Sequence, residues 1–168
     1  MKISSQYKKL NSHLHKDNPY YGISGKKYTQ HILEIINEIE SKDVLDYGCG
    51  KRTLEKSLGF KINNYDPCIS GLDSRPQSAD IVACTDVLEH IEPECLGDVL
   101  DDLMSLTKSH AFLTINTGAA EKTLSDGRNC HLIQKGIDWW AEKLRSRFNI
   151  KKSFHFDDRT VAFLCTSK

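Results

Sequence analysis

The distribution of apolar positions changes character several times along the chain, and each change predicts an element. Residues 1–26 are polar with scattered aromatics, as in "HLHKDNPYYGISGKKY", and Pro19, Gly22 and Gly25 predict an arm or loop rather than a long helix. From residue 27 the period becomes helical. Ile32, Leu33, Ile35, Ile36 and Ile39 recur at helical spacing, with Ser24 as a start signal. Residues 43–47 predict a strand, followed by a glycine turn and a short helix over 53–58. Residues 61–65 and 80–85 predict two more strands. A helix over 93–106 places Leu96, Val99, Leu100 and Leu103 on one face, with Pro93 in its first turn. Residues 110–116 predict a further strand, and a helix over 137–148 carries Trp139 and Trp140, at least one of them expected in the core. "NIKKSFHF" and "TVAFLCTS", separated by Asp157, Asp158 and Arg159, predict an antiparallel hairpin that closes the chain.

Strands alternating with helices predict an α/β fold, a mostly parallel sheet covered on both faces, with an antiparallel C-terminal strand. Ligands of such sheets bind beyond the carboxyl ends of the strands, and the motifs below all fall there. Only about a dozen residues separate Asp66 from Asp80, near the minimum for a parallel crossover with its own helix. The third strand unit is therefore expected to be truncated to a loop or a short strand. Residues 27–168 are read as one domain and residues 1–26 as its N-terminal arm or lid.

Composition narrows the partners. The 23 basic and 23 acidic residues cancel, without the basic excess of a duplex-binding protein. The six cysteines show no CxxC pair, so neither a zinc ribbon nor a disulfide framework is indicated. The N-terminus lacks an apolar leader region, and no run of 18 apolar residues occurs. A cytoplasmic setting without membrane contact is expected.

The candidate chemistry starts at "VLDYGCGKRTL", residues 44–54. A dinucleotide fingerprint needs G-x-G-x-x-G/A, and the last position here is Thr53; a Walker loop fails as well. What remains is D-x-G-x-G, with Asp46 two residues before Gly48. An acid there repels a phosphate and suits a cofactor whose nearby end is cationic. S-adenosylmethionine carries an ammonium and a sulfonium and no phosphate. "VLDYGCG" resembles motif I of the class I S-adenosylmethionine-dependent methyltransferases. "NYDP", residues 64–67, is similar to their second motif, and "ADIVACTDVLEHIEPE", residues 79–94, to the fourth-strand motif of many small-molecule members. The three motifs stand in the family's order across residues 43–116.

That resemblance implies a Rossmann-like three-layer sheet and a cofactor site made of Asp46, Tyr47, Gly48, Cys49, Gly50, Asp66, Pro67, Asp86 and Val87. Gly48 and Gly50 would admit the methionine part where a side chain would clash, and Asp46 would orient its ammonium or a water. Asp66 would accept both ribose hydroxyls, Asp86 and Val87 would line the pocket near the reactive methyl, and Asp73 would approach the adenine. Arg52 stands where the family often has glycine. The backbone there need not be left-handed, so Arg52 reads as tolerated rather than disabling.

Methyl transfer needs an aligned nucleophile and a proton acceptor. His90, His131 and Asp126 are the candidate catalytic residues. Asp86, Glu89 and His90 share a face if their segment is helical, and with His131 they offer a divalent-metal site, Mg²⁺ or another ion. The pattern is similar to the E-x-x-E-H motif of ubiquinone-pathway O-methyltransferases and small-RNA 2′-O-methyltransferases, with Asp86 one methylene shorter. The other reading of "DVLEHI" is packing or direct substrate contact, and both stay open. Residues 116–140 are expected to cover substrate, with Arg128 toward an anionic group, and Tyr20, Tyr21 and Lys26 to close a lid.

The leading expectation is O-methylation of a small hydroxylated metabolite. DNA methylation is disfavoured, because neither a D/N-P-P-Y/F motif nor a correctly placed Pro-Cys pair follows the fourth strand. A metal-dependent RNA 2′-O-methyltransferase and an inactive cofactor-binding partner subunit are the alternatives.

Overall fold

The computed structural model describes residues 3–168; the first two positions of the expected arm, Met1 and Lys2, lie outside the described residues. A single six-stranded sheet organises the chain in the order β2-β1-β3-β4-β6-β5. Its strands are β1 (Val44–Tyr47), β2 (Asn63–Tyr65), β3 (Ala79–Thr85), β4 (Thr107–Asn116), β5 (Phe148–His155) and β6 (Thr160–Ser167). β2, β1, β3 and β4 pair in parallel, and β6 pairs antiparallel with both β4 and β5.

Strand alternation builds three layers. Val44, Ile81, Ala83, Phe112 and Ala162 point to one face, where they meet Ile32, Ile35 and Ile36 of α2 (Thr29–Ile39) and Leu54 of α3 (Thr53–Leu58). Leu45, Val82, Cys84, Leu113 and Phe163 point to the other. There they meet Val99, Leu100 and Leu103 of α4 (Leu96–Leu106) and Trp140 and Leu144 of α5 (Ile137–Arg145). Trp140 is fully buried, as expected for at least one of the tryptophan pair; Trp139 is partly buried beside Lys143. The chain between β2 and β3 forms no regular element, which is the predicted truncation.

The expected N-terminal loop is instead partly helical. Residues Ser5–Asp17 form α1, capped by the Ser4 hydroxyl, which accepts from the Tyr7 amide at 3.1 Å. Ile3, Tyr7, Leu10 and Leu14 lie on one side and pack on Leu124, Cys130 and Leu132 of the segment after β4. The Ser4 amide and hydroxyl also donate to Glu92, at 2.8 and 2.7 Å. Pro19 and the glycines act only after Asp17, at the turn leading to a 3₁₀ stretch over Ser24–Tyr28.

Candidate active site

The glycine turn runs from β1 into α3 at the carboxyl edge of the sheet. Its backbone N–H groups are all satisfied within the protein. Gly48 and Cys49 donate to the Tyr65 carbonyl (2.7 and 3.0 Å), Gly50 to Asp66 Oδ2 (3.1 Å), Lys51 to the Gly22 carbonyl (2.8 Å) and Arg52 to the Cys49 carbonyl (2.8 Å). None of these five is left to cradle a phosphate, in agreement with the leading acid Asp46.

The two glycines also have packing duties within the protein. At Gly48 (φ +83°) an added Cβ would lie 2.5 Å from Val87 Cγ2, and at Gly50 (φ +48°) it would lie 2.5 Å from the Gly22 carbonyl oxygen. Gly50 therefore admits the N-terminal segment, and Gly48 admits the side chain that follows β3. Arg52 is itself left-handed (φ 54°, ψ 41°), a backbone the sequence reading did not require. That conformation costs an L-residue roughly 1–2 kcal/mol, part of which glycine recovers at the expense of a more flexible unfolded chain. Arg52→Gly is expected to raise stability by about 0.5–1 kcal/mol in denaturant unfolding and to leave cofactor affinity within about tenfold.

Asp46 lies buried beneath the turn, outside the cavity wall, and burial followed by the nearby Asp66 raises its pKa to about 7. Tyr47 and Cys49 are also buried away from the cavity. The Tyr47 hydroxyl donates to Asp102 at 2.8 Å, and its ring packs on Tyr65, so this side chain is a core element rather than a cofactor contact. Asp66 sits at the end of β2, where its carboxylate accepts from the amides of Gly50 and Cys68.

A cavity of about 460 Å³ opens above these groups, within the range of small-molecule sites. Gly48, Asp66, Pro67, Asp86 and Val87 line it. So do His90, His131 and Asn116, and Tyr7, Asn11, Tyr20 and Tyr21 of the N-terminal segment. A second groove beside it includes Cys68, Ile69, Leu72 and Asp73. Asp73 is exposed there and paired with Lys8 at 3.3 Å.

Beyond β3, Asp86 turns left-handed (φ 55°), and its Oδ1 accepts from the Tyr28 hydroxyl (2.8 Å) and the Thr114 hydroxyl (3.0 Å). Asp86, expected as a metal ligand, does not join the cluster that forms next along the chain. Glu89, His90 and His131 do converge, each offering a ligand atom within 4.8 Å of the others. Glu89 is fully buried; Oε1 accepts from the Asn116 amide at 2.8 Å, and Oε2 has no hydrogen-bond partner among the described residues. Burial, then Asp86, pushes the Glu89 carboxyl well above the usual carboxylate range. The Nδ1 atoms of the two imidazoles lie 2.8 Å from the Cys130 carbonyl and 2.7 Å from the Gly118 carbonyl. A carbonyl only accepts, so each Nδ1 carries a proton, which leaves Nε2 of each ring as the atom available to a ligand. Burial, then the neighbouring His131, lowers the His90 pKa to about 3, which keeps that ring neutral and makes it a poor general base.

Asp126 is not in this site. It is exposed and bound to Arg128, whose amide and guanidinium both donate to it, at 3.1 and 2.9 Å. The turn at Gly127 (φ +87°) closes that pair on itself, so neither Asp126 nor Arg128 lines the cavity. Residues absent from the sequence expectation take part: Tyr7, Asn11 and His15 from α1 line the wall, and Tyr28, outside it, holds Asp86.

The sequence pattern of the family described as "Methyltransferase domain" matches residues 23–162. No curated protein matches the sequence. Among solved structures, the chain is similar to 1,6-didemethyltoxoflavin-N1-methyltransferase of Burkholderia thailandensis, solved with 1,6-didemethyltoxoflavin and S-adenosylhomocysteine. The TM-score is 0.72 at 13% identity, covering 100% of this chain and 92% of that one. It is similar to magnesium protoporphyrin IX methyltransferase of Synechocystis PCC 6803 with bound S-adenosylmethionine (TM-score 0.68, 14% identity, 100% of both chains). The N-methyltransferase NodS of Bradyrhizobium japonicum WM9, in complex with S-adenosylhomocysteine, gives a TM-score of 0.63 at 12% identity, covering 98% of this chain and 99% of that one. Likeness at these identities establishes the Rossmann-like fold.

Proposed function

The chain belongs to the methyltransferase-domain family, and from that membership we propose that it transfers the methyl group of S-adenosylmethionine to a small hydroxylated molecule. One observation carries the reading. One cavity of about 460 Å³ is lined both by the cofactor-motif residues Gly48, Asp66 and Val87 and by the polar pair His90 and His131. The toxoflavin-precursor and protoporphyrin enzymes that share the fold act on small molecules. α1 and the segment after β4 roof this cavity, which suits a small acceptor better than an RNA strand.

The residues fit the cofactor. S-adenosylmethionine supplies a methyl group already activated on a sulfonium. Asp66 keeps acceptor capacity toward ribose hydroxyls, and Asp46 places an ionisable carboxyl under the turn, where a cationic ligand favours its charged form. The protein's remaining tasks are to align the acceptor and to exclude water. An activity screen over hydroxylated metabolites, with short RNAs and amines as comparison, tests the acceptor class. Transfer to hydroxyls of small molecules is expected, and turnover confined to RNA or to amines contradicts it.

A divalent metal at Glu89, His90 and His131 is the second element of this reading, favoured by the partnerless Glu89 Oε2 and the two available Nε2 atoms. Two imidazoles and one carboxylate suit a first-row transition ion better than Mg²⁺, which prefers oxygen ligands. Such an ion would lower the pKa of a bound hydroxyl, next to a His90 that is itself a poor proton acceptor. Wild-type protein is expected to bind Mn²⁺ or Co²⁺, and His131→Ala to weaken that binding by 10-fold or more, about 1.4 kcal/mol. Equal affinity in the two proteins removes the metal.

A further inference from the structure

α1 brings one side chain into the cofactor region that the family motifs do not include. His15, in the last turn of α1, lines both the main cavity and the neighbouring groove, and so stands at their boundary with Pro67 and Cys68. Its Nε2 lies 3.8 Å from Asp66 Oδ2, while its Nδ1 is buried with no hydrogen-bond partner among the described residues. The ring is held on two sides. It packs edge-on to Tyr21 (4.7 Å between centroids), and a Cβ on Gly22 would come within 2.8 Å of its Cε1. The His15 carbonyl accepts from Lys51 Nζ at 2.9 Å, tying this turn of α1 to the glycine loop.

The 3.8 Å between His15 Nε2 and Asp66 Oδ2 is too long for a hydrogen bond, so a ligand hydroxyl set between them can bond to both. The adjoining carboxylate defines which ligand. Asp66 already accepts one amide on each oxygen and donates nothing, so it can only receive further hydroxyl protons. A neutral imidazole offers one donor and one acceptor, and a vicinal diol offers both in return. We propose that His15 is a cofactor-binding residue, which completes with Asp66 a two-sided clamp on the ribose diol of S-adenosylmethionine. This rests on the reading of the cavity as the site of that cofactor. It gives α1 a binding role, because ribose recognition is shared between β2 and a helix that reaches it from the N-terminus.

Calorimetric titration of wild type, His15→Ala and His15→Gln with S-adenosylhomocysteine, adenosine and 2′,3′-dideoxyadenosine tests the clamp. His15→Ala is expected to weaken S-adenosylhomocysteine and adenosine alike, each by about five- to tenfold, the scale of one lost hydrogen bond. Removal of the two ribose hydroxyls is expected to cost affinity in wild type and markedly less in His15→Ala, with His15→Gln between them. If His15 only steadies α1, the dideoxy penalty is the same in all three proteins, and that equality overturns the inference, as does wild-type affinity in His15→Ala. Wild-type protein that binds none of the three ligands contradicts the cofactor reading itself, and the inference falls with it.

Discussion

Gly48→Val is expected to abolish S-adenosylmethionine binding and to destabilise the protein by about 3 kcal/mol. Two independent costs meet at this position. The backbone is left-handed (φ +83°), where a β-branched residue is most strained. A Cβ would also stand 2.5 Å from Val87 Cγ2 and 3.1 Å from its Cγ1, before the valine's own methyl groups are counted. Val87 belongs to the cavity wall, so relief of the clash must move the turn or the residues after β3, and both border the cofactor's place. Thermal unfolding and calorimetry on one preparation check the result. Adding Val87→Ala to Gly48→Val is expected to recover part of the stability, since it removes the clash and leaves the backbone strain. Wild-type stability in Gly48→Val contradicts this account of the turn.

Asp46→Asn separates stability from binding. Burial, then Asp66, raises the Asp46 pKa to about 7 in the folded protein, against roughly 3.9 in an unfolded chain. Between these values the folded state holds a proton that the unfolded state has lost. Stability therefore falls as pH rises from about 4 to 7, and above that the full cost remains, at most about 4 kcal/mol. Asparagine does not ionise. The variant is expected to be more stable than wild type at pH 8 by about 2–4 kcal/mol and to lack this part of the pH slope. A cationic cofactor favours the ionised carboxyl, so wild-type affinity is expected to rise with pH through about 7, and Asp46→Asn to bind more weakly. A less stable Asp46→Asn at pH 8 contradicts the assignment of a costly buried charge.

The sheet and its helices were legible because their signals are strong and local. The α2 face is built from four isoleucines and a leucine, and the strands of residues 79–85 and 107–116 are dense in apolar and β-branched side chains. α1 was hidden by polarity. Its apolar side has few members, Ile3, Tyr7, Leu10 and Leu14, although their spacing is helical and Ser4 stands at the cap position. Punctuation by Pro19, Gly22 and Gly25 marks the turn after the helix and says nothing against the helix before it. In the site, Glu89 and His90 were visible as neighbours, and His131 lay on a segment expected to cover the cavity. The separation of Asp86 from them was not visible, because Tyr28, which holds it, is 58 positions away. Asp126 misled for the opposite reason: its partner Arg128 is two residues on, in a turn that needs no tertiary site. Arg52 shows what a missing glycine leaves open, since the left-handed backbone persists without the residue that adopts it most easily.

The central claim is that the glycine turn, Asp66 and α1 enclose S-adenosylmethionine. Calorimetry of the wild-type protein with S-adenosylmethionine and S-adenosylhomocysteine at pH 6 and pH 8 tests it most directly. One site per chain is expected, with a dissociation constant below about 100 μM and tighter S-adenosylmethionine binding at pH 8 than at pH 6. No binding of either ligand at about 1 mM, at either pH, contradicts it.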